Sequence, residues 1–569
     1  MNNKSSTSNH SAKAYFRLFI PKLVTVLGSG YTPAHFRGDL IAGLTVAIVA
    51  LPLAMALAIA SGTTPDKGLV TAIVAGFLIS ALGGSRFQIG GPTGAFVVVV
   101  FNVIAQHGYD GLLLATLMAG LMLVVAGFAR LGTWIKYIPE PVVTGFTAGI
   151  AVIIFSSQIK DLFGLTVGQV PGDFIDKIEV LWAARASADM AAMAVAGSAL
   201  LVIVLLRRRA PKLPGFLIAV VGASVAVGLL GLPVETIGSR FGGIPSSIPF
   251  PEMPALDLGK IRDVIPAAFT IAFLAGVESL LSAVVADGMT GARHRSNCEL
   301  VAQGVANVAS ALFAGLPATG AIARTATSIR SGARSPLAGI IHALTLLLFM
   351  LALAPLAAYV PLASLAAVLV IVAWNMSEID KFRHLMSAPP GDRLVLIITF
   401  ALTVLVDLTV AIEVGVVLAA ILFMHRMSKV VSIQQGVDYL QEDIDDAAQP
   451  RVTFDHQTLP KGVEMLSLRG PLFFGAAKGL LDMQDAMPSA PKVIILRVRD
   501  VPLIDATGVG VLTEFVRRCK ADGTVVLVAG VRPQPKEILR KMGFDDRHPN
   551  LRFADSFAEA REIAVGLVG

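Results

Sequence analysis

Two stretches decide the fold: Gly90-Gly91-Pro92-Thr93-Gly94 and Gly315-Leu316-Pro317-Ala318-Thr319-Gly320. Glycine lets backbone approach a ligand closely, and proline ends whatever ordered run came before it. Each stretch opens a short apolar segment, 92–104 and 321–329, well under the roughly 20 residues a bilayer crossing needs. These segments read as half-helices that begin inside a membrane. An echo accompanies them. Ser80-Ala81-Leu82 precedes Thr93-Gly94-Ala95, and Ser310-Ala311-Leu312 precedes Thr319-Gly320-Ala321. Both echoes fall at the third span of a seven-span half, so the halves are repeats, inverted because seven is odd. Inverted repeats with interrupted helices are a transporter plan, with the binding site near mid-bilayer.

The rest of the composition agrees. Of 569 residues, 55% are hydrophobic and 15% charged, against roughly 25% charged in a soluble domain. A soluble enzyme, a disordered chain and a fibrous one are excluded. Charge splits the chain in two: about 26% of residues from Lys429 to Gly569 are charged, but only about 11% before Lys429. The expected domains are an N-terminal segment 1–37, a membrane domain 38–428 with fourteen apolar segments, a linker 429–460 containing the acidic run Glu442-Asp443-Ile444-Asp445-Asp446, and a soluble domain 461–569. Lys and Arg in alternate loops sum to nineteen on one face and seven on the other; the richer face is retained in the cytoplasm, so both termini are expected there. The +6 net charge is a topology signal and does not point to nucleic acid. Residues 1–37 lack a signal-peptide pattern. Cys298 and Cys519 fall one in each domain, and no zinc-ligand spacing, phosphate-binding loop or nucleophile elbow occurs.

A half-helix starting inside the bilayer presents unpaired N–H groups and the positive end of its dipole, which favour an anion. Thr93-Gly94 and Gly320-Ala321-Ile322 would be the two amide ends; packing glycines are the plainer alternative. Arg324, four residues past Gly320, costs about 2.5 kcal/mol or more within a membrane and must face a cavity or a partner. Its planar fork suits an oxyanion; a structural salt bridge to Glu278 is the alternative. Glu278 interrupts the apolar run Phe273 to Ser282. It can load a proton in step with the anion, or bind a cation with Ser282 one turn later, or serve as a fixed counter-ion. Asp407 and Glu413 are expected at interfaces, and His342 as a hydrogen-bonded core residue.

With these residues in view, the chain resembles the sulfate permease family, the bacterial branch of the solute carrier 26 anion transporters, over essentially its whole length. The carrying motifs are Leu51-Pro52-Leu53-Ala54-Met55-Ala56-Leu57-Ala58 within Gly43 to Gly62, Gly83 to Thr93, and Ile322-Ala323-Arg324. Within the family the likeness is strongest to a bacterial C4-dicarboxylate carrier, through Ile48 to Gly62, Val277 to Leu281, Asp287 to Gly291 and Ala373 to Glu378. The resemblance implies fourteen spans as seven-plus-seven inverted repeats, elevator motion of a core against a gate, usually a homodimer, and a substrate pocket of Leu53, Leu57, Thr93, Glu278, Ala323 and Arg324. Leu53 and Leu57 depart from relatives with an amide and an aromatic there, and Glu278 from relatives with aspartate that resemble sodium-coupled bicarbonate carriers.

The tail reads as α/β: strands Val463 to Leu468, Val493 to Val498 and Thr524 to Val531, helices Gly508 to Cys519 and Pro533 to Met542, and a Ser556/Glu559 capping box opening the last helix. It resembles the STAS domain of the same family, with Thr507 where related antagonists carry a phosphorylatable serine; Asp505 and Thr507 as helix caps are the plainer reading. The chain is expected to be a multi-pass inner-membrane protein and not an enzyme. It is expected to need no cofactor and to carry C4-dicarboxylates with protons. Sulfate or bicarbonate with sodium is the alternative, and an anion channel or a STAS-based signalling protein the more distant ones. A cytoplasmic protein partner for the STAS domain is a further expectation.

Overall fold

The computed structural model describes residues 18–133, 139–168, 170–210, 213–255, 257–406, 408–430, 432–435, 459–473, 478–485, 487, 490–545 and 548–568. Asp407 and the acidic run from Glu442 lie outside them. The chain divides into two compact units, Met1–Val417 and Leu418–Gly569.

The first unit is helical. Among the described residues of the chain, nine helices have the length and hydropathy to cross a bilayer, Pro33–Ala60, Glu140–Phe163 and Leu337–Ala357 among them, and Gly215–Leu230 is a shorter apolar one. Proline stands in the first turn of Pro33–Ala60, Pro65–Leu82 and Pro390–Leu405, where the missing N–H would have been unpaired anyway. Small residues let backbones touch: a Cβ on Gly120 would lie 2.7 Å from the Gly304 carbonyl oxygen, and one on Gly304 2.6 Å from that of Gly120. Phe96–Phe128 and Ser296–Leu312 therefore pack backbone to backbone, as membrane helices do where dispersion must replace the hydrophobic effect.

At both quoted stretches the helix pattern breaks. Gly90–Gly91 runs antiparallel to Thr319–Gly320, with Gly90 opposite Gly320 and Gly91 opposite Thr319. Helices resume at Phe96 and at Ile322, in each case one residue after the echoed tripeptide. The first start lies four residues beyond the expected 92, because Thr93–Ala95 form a lead-in turn in which Phe96 N donates to Thr93 O and Val97 N to Gly94 O. Phe96–Phe128 breaks at Gly108 (φ 71°, ψ 179°), which separates a half-helix from the next span. Ile322–Arg330 is nine residues long. The echoed serines play one role: Ser80 Oγ donates to the Gln88 carbonyl (3.3 Å) and Ser310 Oγ to the Leu316 carbonyl (2.6 Å), each tying a helix end to the loop returning into the unit.

The second unit is a five-stranded sheet. Ser432–Gln435 pairs antiparallel with Val463–Arg469, and Val493–Asp500, Val525–Ala529 and Leu551–Ala554 follow in parallel. Alternate strand residues serve opposite faces. Ile494, Leu496, Val526 and Val528 pack with Leu512 and Phe515, while Val493, Ile495 and Leu527 pack with Phe557, Ala560 and Ala564. The expected strands and helices are present, with two strands and the Lys478–Asp485 helix added. One strand, Ser432–Gln435, lies in the stretch expected as linker; its polar residues and edge position gave no strand signal. Asp505 caps Ala506–Ala521 by accepting from Gly508 N at 2.7 Å. Thr507 sits exposed in the first turn and takes no part in the cap. The Ser556/Glu559 box closes one residue upstream of expectation: Ser556 Oγ accepts from Glu559 N, but the Glu559 carboxylate accepts from Asp555 N.

Candidate functional site between two half-helices

The two-residue ladder brings the half-helix starts together, and side chains lock it from every side. On the second half, the Asn307 amide clamps Ala318, accepting from its N–H and donating to its carbonyl, both at 2.8 Å. Thr319 Oγ1 donates to the Ala275 carbonyl at 2.9 Å. Thr325 Oγ1 accepts from Ile89 N (3.1 Å) and from Ser282 Oγ (3.3 Å), and Ala321 N donates to the Ile89 carbonyl (2.9 Å). On the first half, Gln88 Nε2 donates to both the carbonyl and the hydroxyl of Ser279 at 3.1 Å.

These locks leave the helix starts free. Among the described residues, the backbone N–H groups of Gly94, Ala95, Ile322 and Ala323 have no acceptor. Arg324, buried, donates to the Pro92 carbonyl, and its guanidinium lies where a Cβ on Gly91 would be 2.7 Å away. Gly91 (φ +142°) thus makes room for the arginine. Glu278 Oε2 accepts from Thr93 Oγ1 at 2.8 Å, which joins the carboxylate to the first helix start. Among the described residues no salt bridge joins Glu278 to Arg324, so the simple ion-pair alternative is not adopted here. Ala323 is exposed, and Ile322 and Glu278 are half-buried, so the second start opens onto space. Gly94 faces Ile154, Val372 and Met376, which a Cβ would meet at 3.2–3.8 Å; two further helices wall that side. Leu57 is buried in the apolar core that contains Phe96, Val97 and Ile154, and Leu53 packs at its edge. Free amides, a guanidinium and a nearby carboxylate are groups whose chemistry suits an anion, with a proton held beside it.

Ser282 Oγ donates to Thr325 and so helps hold the second half-helix in position. His342 is buried as expected, but among the described residues neither ring nitrogen has a hydrogen-bond partner, which corrects its reading as a hydrogen-bonded residue. Several residues that build the site went unread. Glu299, Gln303, Asn307 and Ser310 form a fully buried polar stripe at helical spacing. Glu299 accepts from Gly84 N (2.8 Å), Ser85 N (3.0 Å), Gln303 Nε2 (3.0 Å) and Ser279 Oγ (3.2 Å), anchoring the turn that leads into the first break. Asp39 does likewise for the exit from the second half-helix, accepting from Arg334 N, Ser335 N and Tyr31 Oη at 2.6–2.9 Å. The i, i+4, i+8 polar stripe within an apolar segment was a legible signal.

A family model described as the sulfate permease family matches residues 36–399, and one described as the STAS domain matches residues 458–560. The chain is 42% identical over 536 residues to the candidate sulfate transporter YvdB of Bacillus subtilis (strain 168), covering 93% of this chain and 98% of that one. It is 30% identical over 544 residues to the bicarbonate transporter BicA of Picosynechococcus sp. (strain ATCC 27264 / PCC 7002 / PR-6), covering 93% and 95%. Among solved structures, that of SLC26A9 superposes with TM-score 0.84 at 18% identity over 99% of this chain and 95% of that one. The transmembrane domain of a cyanobacterial BicA matches with TM-score 0.61 at 30% identity over 67% and 98%.

Proposed function

Since this chain belongs to the sulfate permease family of anion transporters, we propose that it is a secondary active carrier that moves a small oxyanion together with a proton, with the site between the half-helices as its substrate pocket. The observation that carries this reading is the Gly90–Gly91/Thr319–Gly320 ladder, because it sets two groups of free amides and Arg324 around one point. In the proposed cycle the anion docks on Thr93-Gly94 and Gly320-Ala321-Ile322-Ala323 and neutralises Arg324. A proton on Glu278 removes the negative charge that would oppose a dianion. The core then shifts against the gate, and anion and proton leave on the other side.

Two relatives that cover nine-tenths of this chain carry sulfate and bicarbonate in their names, which favours these substrates over the succinate or fumarate suggested by the four segment likenesses. Sodium in place of the proton would use Glu278 and Ser282, whose hydroxyl donates its proton to Thr325 and keeps its oxygen lone pairs. Fourteen spans, cytoplasmic termini in a bacterial inner membrane, elevator motion, a homodimer and a cytoplasmic partner for the STAS domain belong to the same reading. Uptake of labelled sulfate, bicarbonate and succinate into proteoliposomes tests it, with pH and sodium gradients imposed separately. A pH gradient should drive saturable uptake of sulfate or bicarbonate in the wild type, and Glu278→Gln should lose that drive. Uptake driven by sodium alone would overturn the coupling, and unsaturating currents would mark a channel.

A further inference from the structure

A cavity of about 610 Å³ lies within the same unit. Its walls come from the 59–67 turn, the Phe96–Phe128 helix, the end of Glu140–Phe163 and the loop around the Phe174–Ala183 helix. It reaches Val97 and Val98, on the first turn of the first half-helix. Four cations line it, Lys67, Lys160, Lys177 and Arg240, against one carboxylate, Asp161. Three of the cations are occupied. Arg240 bridges Asp161 and Glu235, Lys160 donates to the Val167 carbonyl at 2.9 Å, and Lys67 lies 3.8 Å from Asp66.

Lys177 is different. It is 4% exposed, and among the described residues it has no carboxylate or carbonyl partner; its ammonium rests only over the Phe101 ring, 5.8 Å from the centroid. The segment is held against the half-helix, since a Cβ on Gly172 would meet Asn102 at 3.1 Å and Phe101 at 3.5 Å. Buried charges are ordinarily paired, and burial pushes this ammonium down to about 8, with Asp173 opposing. Among the described residues that partner is missing, and an anion from solution would supply it.

We propose that Lys177 and this cavity form a second anion-binding site, an antechamber that captures a small oxyanion at the mouth leading to the first half-helix. The ligand class rests on the carrier reading above; the site does not. Charge lining a cleft with low-dielectric walls raises the local concentration of a counter-ion and its rate of arrival, so the antechamber governs capture and leaves translocation alone.

The test is protection from acylation in the purified full-length protein. Lys177 is labelled with acetic anhydride in sulfate or in gluconate at equal ionic strength, with exposed Lys461 as reference, and read by mass spectrometry. Sulfate should slow labelling of Lys177 about tenfold relative to Lys461, equally in the wild type and in Arg324→Ala. Equal rates in the two salts would overturn the proposal, as would protection that vanishes in Arg324→Ala, because the protecting anion would then sit at the half-helices. In uptake, Lys177→Gln should raise KM about tenfold while kcat stays within about twofold, and Lys177→Arg should restore KM; an unchanged KM in Lys177→Gln would overturn it. A failure of Arg324→Ala to affect uptake would count against the central pocket and leave the Lys177 result standing.

Discussion

The two half-helix entrances share a backbone plan and differ in chemistry. Each follows a helix ending in Ser-Ala-Leu, each has that serine bonded to a carbonyl of the returning loop, and each starts its helix one residue after the echo. The first supplies glycines and the Thr93 hydroxyl, and its side chains are otherwise apolar. The second supplies the charge, through Arg324, and depends on a polar clamp at Asn307. The two amide ends are equivalent in backbone, but the cation stands on one and the room for it on the other, since Arg324 occupies the space that Gly91 vacates.

Breaking the asymmetry at its charge should have the largest effect. Arg324→Ala should lower uptake by at least about 30-fold, the ~2 kcal/mol lower bound for removing one member of a buried charged pair, and Arg324→Lys should recover little because the fork is lost. Equal uptake in Arg324→Ala would count against the central pocket.

Asn307→Ala removes both bonds to Ala318 and strands a buried N–H and carbonyl, a cost of about 2–4 kcal/mol. Thermal unfolding in detergent should fall accordingly, and Ser80→Ala on the first half, which removes one 3.3 Å bond, should cost about 1 kcal/mol or less. Similar losses would mean that the two entrances are held alike.

Gly91→Ala puts a methyl 2.7 Å from the Arg324 guanidinium at φ +142°, a conformation L-residues rarely adopt. About 1–3 kcal/mol of destabilisation and weaker substrate affinity are expected. Gly320→Ala instead collides with the Gln88 amide, so its damage should be relieved by Gln88→Ala, whereas that second change should not rescue Gly91→Ala. Stability and uptake measured in the double variants decide this.

The smallest effect belongs to Thr93→Val, which removes one hydroxyl bond to Glu278, worth about 1 kcal/mol. A severalfold change in KM with folding intact is expected; a large loss of stability would make Thr93 a structural lock like Asn307.

Much of this was legible. Gly, Pro and Thr at matching places marked both breaks, and a lone arginine and a lone glutamate in apolar runs marked the pocket, because lipid penalises an unpaired charge. Lys177 was not legible as anything but a loop charge, since no local pattern reports that a surface helix folds over Phe101. The stripe Glu299, Gln303, Asn307 and Ser310 carried a helical signal, yet its partners lie up to 215 residues away. The antiparallel edge strand Ser432–Gln435 had neither apolar alternation nor β-branched enrichment to announce it.

Sequence alone decided which segments seek lipid, where helices must break, and which side chains are too costly there to be idle, because hydropathy, backbone freedom and the price of burying charge are local properties. Tertiary structure decided that the breaks meet, that Arg324 bonds a carbonyl of the opposite half while Thr93 engages Glu278, and that Lys177 is buried with no carboxylate or carbonyl partner among the described residues. Those outcomes depend on distances between residues far apart in the chain, which are set only when the two repeats pack against each other.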